Sequence, residues 1–531
     1  MNLLRRLALS SLGLGLLMSL GTVSAAQTEG TPFIGTWSTA TTIRTDGQNY
    51  AQQTLRQIVH TSIAGQRLRL RFSNVFGTQP LVLDDLQVAA RATGSSILPN
   101  SSVAVLFNGQ RRITIAPGEL AVSDPVNYAV AADSDVAVSF YVVSAQGPVS
   151  YHQMANQQSW STSGDASALA QWPQASSFSQ FQYLSGMEVQ NPQAIGAVVA
   201  IGASLTDGAS SSFDQPLRWP NRLARRLLAD GQQVGVLNQG NSGNQLLHDG
   251  AGEAEIHRFQ RDVLDQPGVR WVILSDDPIN DLTSNFPVPT ASDLIGGLTD
   301  LVNRAHGQQL RVLCSTLTPY QGNEHWTSQQ EAVRQQVNSF LRGAGNGCDA
   351  VVDQDLATHD PAHPTQFLPA YDSGDHLHPN DAGYAAIANA VNLDIFRQPT
   401  PLPPMQAPAR TGLVLPGEGL IPGGLQMSDA QNAGFVLQGS GDLVIYQILA
   451  PGQGEMIGLY HLGDNGVPRL QLRSGGNLVA YADDGRAVWA TNSVGHAGAY
   501  MNMQNDGNLV IYDVLNDGRS QPIWASGSSV H

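Results

Sequence analysis

Lysine occurs nowhere in the 531 residues, so all 27 basic side chains are arginine. Walker-type phosphate loops, Schiff-base catalysis and lysine general bases each need an ammonium group, and all three are excluded. Cysteine is nearly absent too. Cys314 and Cys348 are too few for a disulfide-built scaffold or a cysteine zinc site, although an oxidising destination permits one bridge, with two buried thiols as the alternative. Charged residues make up 13% of the chain, where about 25% is usual. The formal net charge of −16 repels phosphate backbones and argues against nucleic acid as a partner. Beyond residue 26 no stretch approaches the roughly 20 apolar residues of a membrane helix, so no membrane span is expected. No G-x-S-x-G is present, which removes the nucleophile elbow of one large hydrolase class.

The chain does carry 42% apolar residues and enough length for several domains. Residues 1–26 read as a secretory signal, with Arg5 and Arg6 as the charged start, Leu7 to Leu20 as the apolar run and Val23-Ser24-Ala25 as the cleavage site. The expected destination is outside the cell or in a periplasm. Residues 27–190 show period-2 runs, among them Arg67-Leu68-Arg69-Leu70-Arg71-Phe72, which predict an antiparallel β-sandwich with one buried and one wet face per strand. From 191 to 397 short continuous apolar runs (Ile195 to Ile201, Val269 to Leu274, Leu310 to Cys314, Ala350 to Val352) alternate with helical spacings such as Trp219, Leu223 and Leu227. This predicts a parallel sheet with helices on both sides and a ligand site at the carboxyl ends of its strands. Residues 398–409, QPTPLPPMQAPA, form a proline-rich linker. In 410–531 one motif recurs three times, as QGSGDLVIY from Gln438, RSGGNLVAY from Arg473 and QNDGNLVIY from Gln504, which predicts a symmetric array of small β units.

Candidate chemistry sits in the central region. Ser204, in Gly202-Ala203-Ser204-Leu205-Thr206-Asp207-Gly208, follows the first buried strand on a tight turn and is a candidate nucleophile, with a helix-capping serine as the plainer reading. Near the far end, Asp375 stands three residues before His378 in Asp375-His376-Leu377-His378-Pro379, a spacing that lets the carboxylate fix the tautomer of a base imidazole. A metal site from Asp372, Asp375, His376 and His378, or an ordinary surface turn, is the rival.

With Asn238-Gln239-Gly240-Asn241-Ser242-Gly243-Asn244 and Pro278-Ile279-Asn280-Asp281 between them, these blocks stand in the order found in SGNH, or GDSL-type, hydrolases, which the chain resembles over roughly 30–397. Gly35-Thr36-Trp37 and TLRQIVHTSIAGQRLRLRFSNVFG are similar to the leading region of the acyl-esterase and xylan-esterase branch. The resemblance implies a three-layer, flavodoxin-like α/β hydrolase without cofactor or metal. It makes Ser204 the nucleophile, His378 the base and then acid, and Asp375 its orienting partner. The Ser204 and Gly240 N–H groups and the Asn280 amide would form the oxyanion hole. Two positions depart from the family, which usually has Asp in place of Ala203 and Gly in place of Pro278.

In the third repeat, Gln504, Asp506, Asn508, Val510 and Tyr512 alternate along the sequence, so on a strand all five would share one face. Amide and carboxylate groups pair with sugar hydroxyls while Val packs on ring carbons. The spacing resembles the Q-x-D-x-N-x-V-x-Y signature of bulb-type, mannose-binding monocot lectins, which implies a β-prism over 410–531. The first copy carries Ser440 and Asp442 in place of Asp and Asn, and the second carries Arg473 and Gly475 in place of Gln and Asp. The expectation is a secreted serine esterase acting on an acylated carbohydrate or other ester and held to mannose-containing glycans. The alternative is a carbohydrate-binding protein whose hydrolase domain is impaired by Ala203 and Pro278.

Overall fold

The computed structural model describes residues 30–398 and 405–529, apart from Pro173, Phe286, 451–452, 464–466, 468 and 516–517. The expected leader, 1–26, and the centre of the expected linker lie outside the described residues. Among these residues no helix precedes Ser204, and no helix is long and apolar enough to cross a membrane.

The first part of the chain builds antiparallel sheets. Phe33–Ser38, Leu184–Gln190, Arg67–Ser73 and Leu120–Val122 form one, while Gln53–Thr61, Ser134–Ser144 and Leu81–Ala90 run through the middle of another. The alternation works as expected on the apolar side: Leu68, Leu70 and Phe72 share a core with Leu55, Val59, Val138 and Phe140, and the Phe72 and Phe140 rings meet edge to face at 5.1 Å. The opposite face is not wet. Arg69 and Arg71 are buried, because the fully buried Glu188 of the neighbouring strand accepts from both, at 2.5 and 2.7 Å. Ions withdrawn from water need close partners, and this triad supplies them.

The central sheet holds β1 (Gly196–Gly202), β2 (Val234–Gly240), β3 (Val269–Leu274), β4 (Arg311–Ser315) and β5 (Ala350–Val352), all parallel in the order β2-β1-β3-β4-β5. Alternate residues of β1 enter different cores. Val199 and Ile201 join the core that continues into the N-terminal sheets, whereas Val198 and Ala200 pack with Trp219, Leu223 and Leu227. A strand apolar at every position is therefore buried on both faces. Helices α2 (Trp219–Ala229) and α6 (Asp381–Ala390) cover one face; α4 (Ala291–Gly307) and α5 (Ser328–Arg342) cover the other. Two short helices, α1 (Ser204–Asp207) and α3 (Asp277–Ser284), stand at the carboxyl ends of β1 and β3. Strand order reverses between β1 and β3, where open parallel sheets bind ligands. Cys314 and Cys348 are joined by a disulfide that ties β4 to the approach of β5.

Residues 413–525 form three four-stranded antiparallel sheets, one per repeat, around a separate core that includes Leu443, Leu478 and Leu509. Trp489, Trp524 and Tyr460 come together with ring centres 5.9–6.4 Å apart.

Candidate active site

Ser204 opens α1 directly after β1, with its residue only 7% exposed. The turn is close-packed. A Cβ on Gly202 would lie 2.3 Å from Thr206 Oγ1, and one on Gly240 would lie 2.2 Å from the Asp207 nitrogen, so both positions need glycine. Buried Arg258 binds the carbonyls of Gln239 and Gly202 at 2.7 and 3.0 Å and pins the ends of β2 and β1 together.

Ser204 Oγ lies 2.9 Å from His378 Nε2, and His378 Nδ1 lies 2.6 Å from Asp375 Oδ2, across 174 residues of sequence. The other Asp375 oxygen accepts the N–H groups of Leu377 and His378 at 2.9 and 2.8 Å. Burial alone would raise the Asp375 pKa, but the hydrogen bond to the His378 ring and these two N–H groups outweigh it and lower the pKa to about 2. The neighbouring pair is separate, since Asp372 holds His376 at 2.5 Å. The four residues weighed as a metal site thus form two distinct acid–imidazole couples, and only one reaches the serine.

The predicted oxyanion donors fall less simply. Gly240 N–H donates to Asn238 Oδ1 at 2.9 Å, so its proton is already committed and its glycine serves close packing against α1. That corrects the expected donor. Gly243, three residues on, sits at φ +81° and its N–H has no acceptor among the described residues. Asn280 donates one amide proton to the Asn244 carbonyl at 2.8 Å, which leaves the other proton for a ligand. Pro278 fits where it lies. It occupies the second position of α3, where a helix has no internal partner for an N–H, so the missing donor costs nothing.

Several positioning residues escaped sequence reasoning because they are remote in the chain. His152, from the N-terminal sheets, contacts Asp207 at 3.0 Å, and Asp207 in turn accepts the Ser242 N–H and hydroxyl at 3.1 and 2.8 Å. Asp281 accepts the Leu246 and Leu247 N–H groups, and burial pushes its pKa up to about 7. No local pattern announces such contacts; only the block order hinted that these loops meet.

In the C-terminal repeats the strand-face expectation needs correction. Gln504, Asp506 and Asn508 lie in the turn before the strand Leu509–Val514, and only Val510 and Tyr512 lie on it. The turn is held by Asp506 Oδ1 accepting Asn508 N–H at 2.9 Å, while Asn508 Oδ1 accepts Ser526 Oγ and Gly527 N–H, both at 3.0 Å. Gln504 Nε2 reaches Tyr512 Oη at 2.7 Å, and the other copies repeat this contact as Gln438 to Tyr446 and Arg473 to Tyr481. Val510 is 2% exposed, so Gln504, Asp506, Asn508 and Tyr512 provide most of the accessible row.

A parallel three-layer sheet whose switch point carries a hydroxyl, an imidazole and a carboxylate in hydrogen-bonded series has the build of a hydrolase. Residues 200–386, about a third of the chain, match the GDSL-like Lipase/Acylhydrolase family, a match that supports a carboxylic ester hydrolase. No curated protein matches the chain. Among solved structures it is similar to an acetyl xylan esterase variant from Geobacillus stearothermophilus (21% identity, 37% of this chain and 93% of that one, TM-score 0.30). It is also similar to a lipase/acylhydrolase from Enterococcus faecalis (19% identity, 37% and 92%, TM-score 0.29). Monocot mannose-binding lectins from Gastrodia elata are similar at 28% identity, over 23% of this chain and 100% of that one, with a TM-score of 0.19.

Proposed function

We propose that the chain is an exported serine esterase that removes acyl groups, acetyl among them, from a carbohydrate through an acyl-enzyme. The observation that carries this reading is the 2.9 Å contact between Ser204 Oγ and His378 Nε2, backed by Asp375. His378 takes the Ser204 proton as Oγ attacks the ester carbonyl; Asp375 keeps Nδ1 protonated and stabilises the imidazolium that forms. The oxyanion faces the Ser204 N–H, the Gly243 N–H and the free proton of Asn280. Collapse expels the alcohol, which leaves with the proton from Nε2. Water, deprotonated by His378, then attacks the acyl-Ser204 ester and releases the carboxylic acid. Neither departure from the family pattern removes a group of this scheme, since Ala203 carries none of its donors or acceptors and Pro278 stands at a helix start where its N–H would have no internal partner.

The N-terminal sheets form a β-sandwich that shares its core with the hydrolase, and the three C-terminal sheets form a β-prism in this reading. Gln504, Asp506, Asn508 and Tyr512 bind a mannose-containing glycan, and tethering raises the effective concentration of substrate. Hydrolysis of p-nitrophenyl esters of rising acyl length, beside acetylated xylan and mannan, tests the enzyme: wild type exceeds Ser204→Ala by orders of magnitude, and equal background rates would remove the reading.

A further inference from the structure

Helix α1 starts with a residue that cannot cap it. Its N-cap is Ala203, which makes no side-chain cap bond, and Ser204, Leu205 and Thr206 occupy the first three helical positions. An N-cap normally accepts the N–H of the second or third position through a Ser, Thr, Asp or Asn oxygen. Here those two N–H groups find their acceptor in the short turn between β3 and α3. Asp276, two residues past β3 and at the N-cap of α3, accepts Leu205 N–H through Oδ2 at 2.8 Å and Thr206 N–H through Oδ1 at 3.2 Å, and Thr206 Oγ1 donates to Oδ1 at 2.6 Å. The carboxylate is 2% exposed and lies directly on the turn, since a Cβ on Gly202 would stand 2.4 Å from its Oδ1.

Resting on the esterase reading above, we infer that Asp276 is the positioning residue of the nucleophile turn, capping α1 from the turn after β3 in place of the side chain that Ala203 lacks. It satisfies the second and third N–H groups and leaves the first, that of Ser204, uncommitted for an oxyanion. The cap also joins the end of β1 to the end of β3, so the nucleophile and the segment bearing Asn280 are set by one carboxylate. Asp276 touches no substrate; it acts through the placement of Ser204 Oγ.

The exchange of positions tests this. In the full chain, Asp276→Ala should lower kcat on p-nitrophenyl acetate about 100-fold with KM nearly unchanged, the scale expected when a reacting group moves by about 1 Å. Asp276→Asn, which keeps the shape but turns a donor toward an N–H, should lose nearly as much. Ala203→Asp in the Asp276→Ala background restores a local cap and should recover at least about tenfold of kcat, a rescue that no generic packing role provides. Ala203→Asp alone crowds two carboxylates and should be slower than wild type. Folded Asp276→Ala with wild-type kcat overturns the inference, as does an exchange variant no faster than Asp276→Ala. If Asp276→Ala fails to fold, an exchange variant that folds and turns over supports the inference, and one that does neither overturns it. Should wild type prove no faster than Ser204→Ala, the esterase reading fails on its own. The cap is then read from crystal structures: the 2.9 Å Ser204–His378 contact should be lost in Asp276→Ala and regained in the exchange.

Discussion

Replacing Asp375 with Asn removes one charge and almost no volume, so it isolates what the carboxylate contributes. Asp375 faces the imidazole through a 2.6 Å contact, and an imidazolium there would have its charge about 4 Å from that of the carboxylate. At an effective dielectric of about 20, two such charges attract by about 4 kcal/mol. The Asp375 side chain is 45% exposed, so water screens part of that attraction. About 3 kcal/mol remains, or roughly 100-fold in kcat/KM. This is smaller than the roughly 10⁴-fold loss known for a buried triad carboxylate, and the difference comes from exposure. The assay is kcat and KM on p-nitrophenyl acetate at pH 7–8, with circular dichroism to show that the variant is folded. A folded Asp375→Asn within threefold of wild type would refute the orienting role. Acidifying wild type to pH 4 does not mimic the variant, because Asp375 keeps its charge down to about pH 2. The stability it contributes is present above its ordinary value of 3.8 and is lost as pH falls through about 2.

Asn280→Ala should lower kcat by about 10²–10³ with little change in KM, the signature of a donor used in the transition state, and steady-state kinetics checks it. Replacing Cys314 and Cys348 by Ser opens a disulfide spanning 34 residues and should cost about 2–4 kcal/mol in urea unfolding while activity at 25 °C persists. Asp281 is a raised acid, so its native state binds the extra proton between its ordinary pKa of 3.8 and about 7; it therefore penalises stability above pH 7 by at most about 4 kcal/mol, and the penalty fades toward pH 4. Asp281→Asn should flatten that part of a stability-versus-pH curve, and an unchanged slope between pH 5 and 8 would contradict the assignment. For the repeat domain, retention of the full chain on mannose resin should be lost in Asp506→Ala, whose carboxylate is exposed and accepts the turn N–H of Asn508; Asn508→Ala is the poorer probe because its Oδ1 also holds Ser526 and Gly527.

Local chemistry along the chain was enough to mark the strands of the central sheet, because burial on both faces demands apolar residues at every position from Ala197 to Ile201. The blocks around Ser204, Asn280 and His378 were legible through their order along the chain, which is that of the hydrolases it resembles. Three repeats of one motif likewise announced three equivalent sheets. Only tertiary contact could decide which N–H is free: Gly240 and Gly243 stand in one short segment, yet the Asn238 side chain occupies the first and leaves the second open. The same holds for Arg69 and Arg71, which alternate like solvent-facing residues and are buried by Glu188 from a strand more than a hundred residues away. Asp276 is the sharpest instance, since nothing in its local sequence marks it and only the fold lays it on a helix that has no cap of its own. A sequence fixes which donors and acceptors exist, but hydrogen bonds are short and directional, and their pairing follows from the path that brings distant segments within 3 Å.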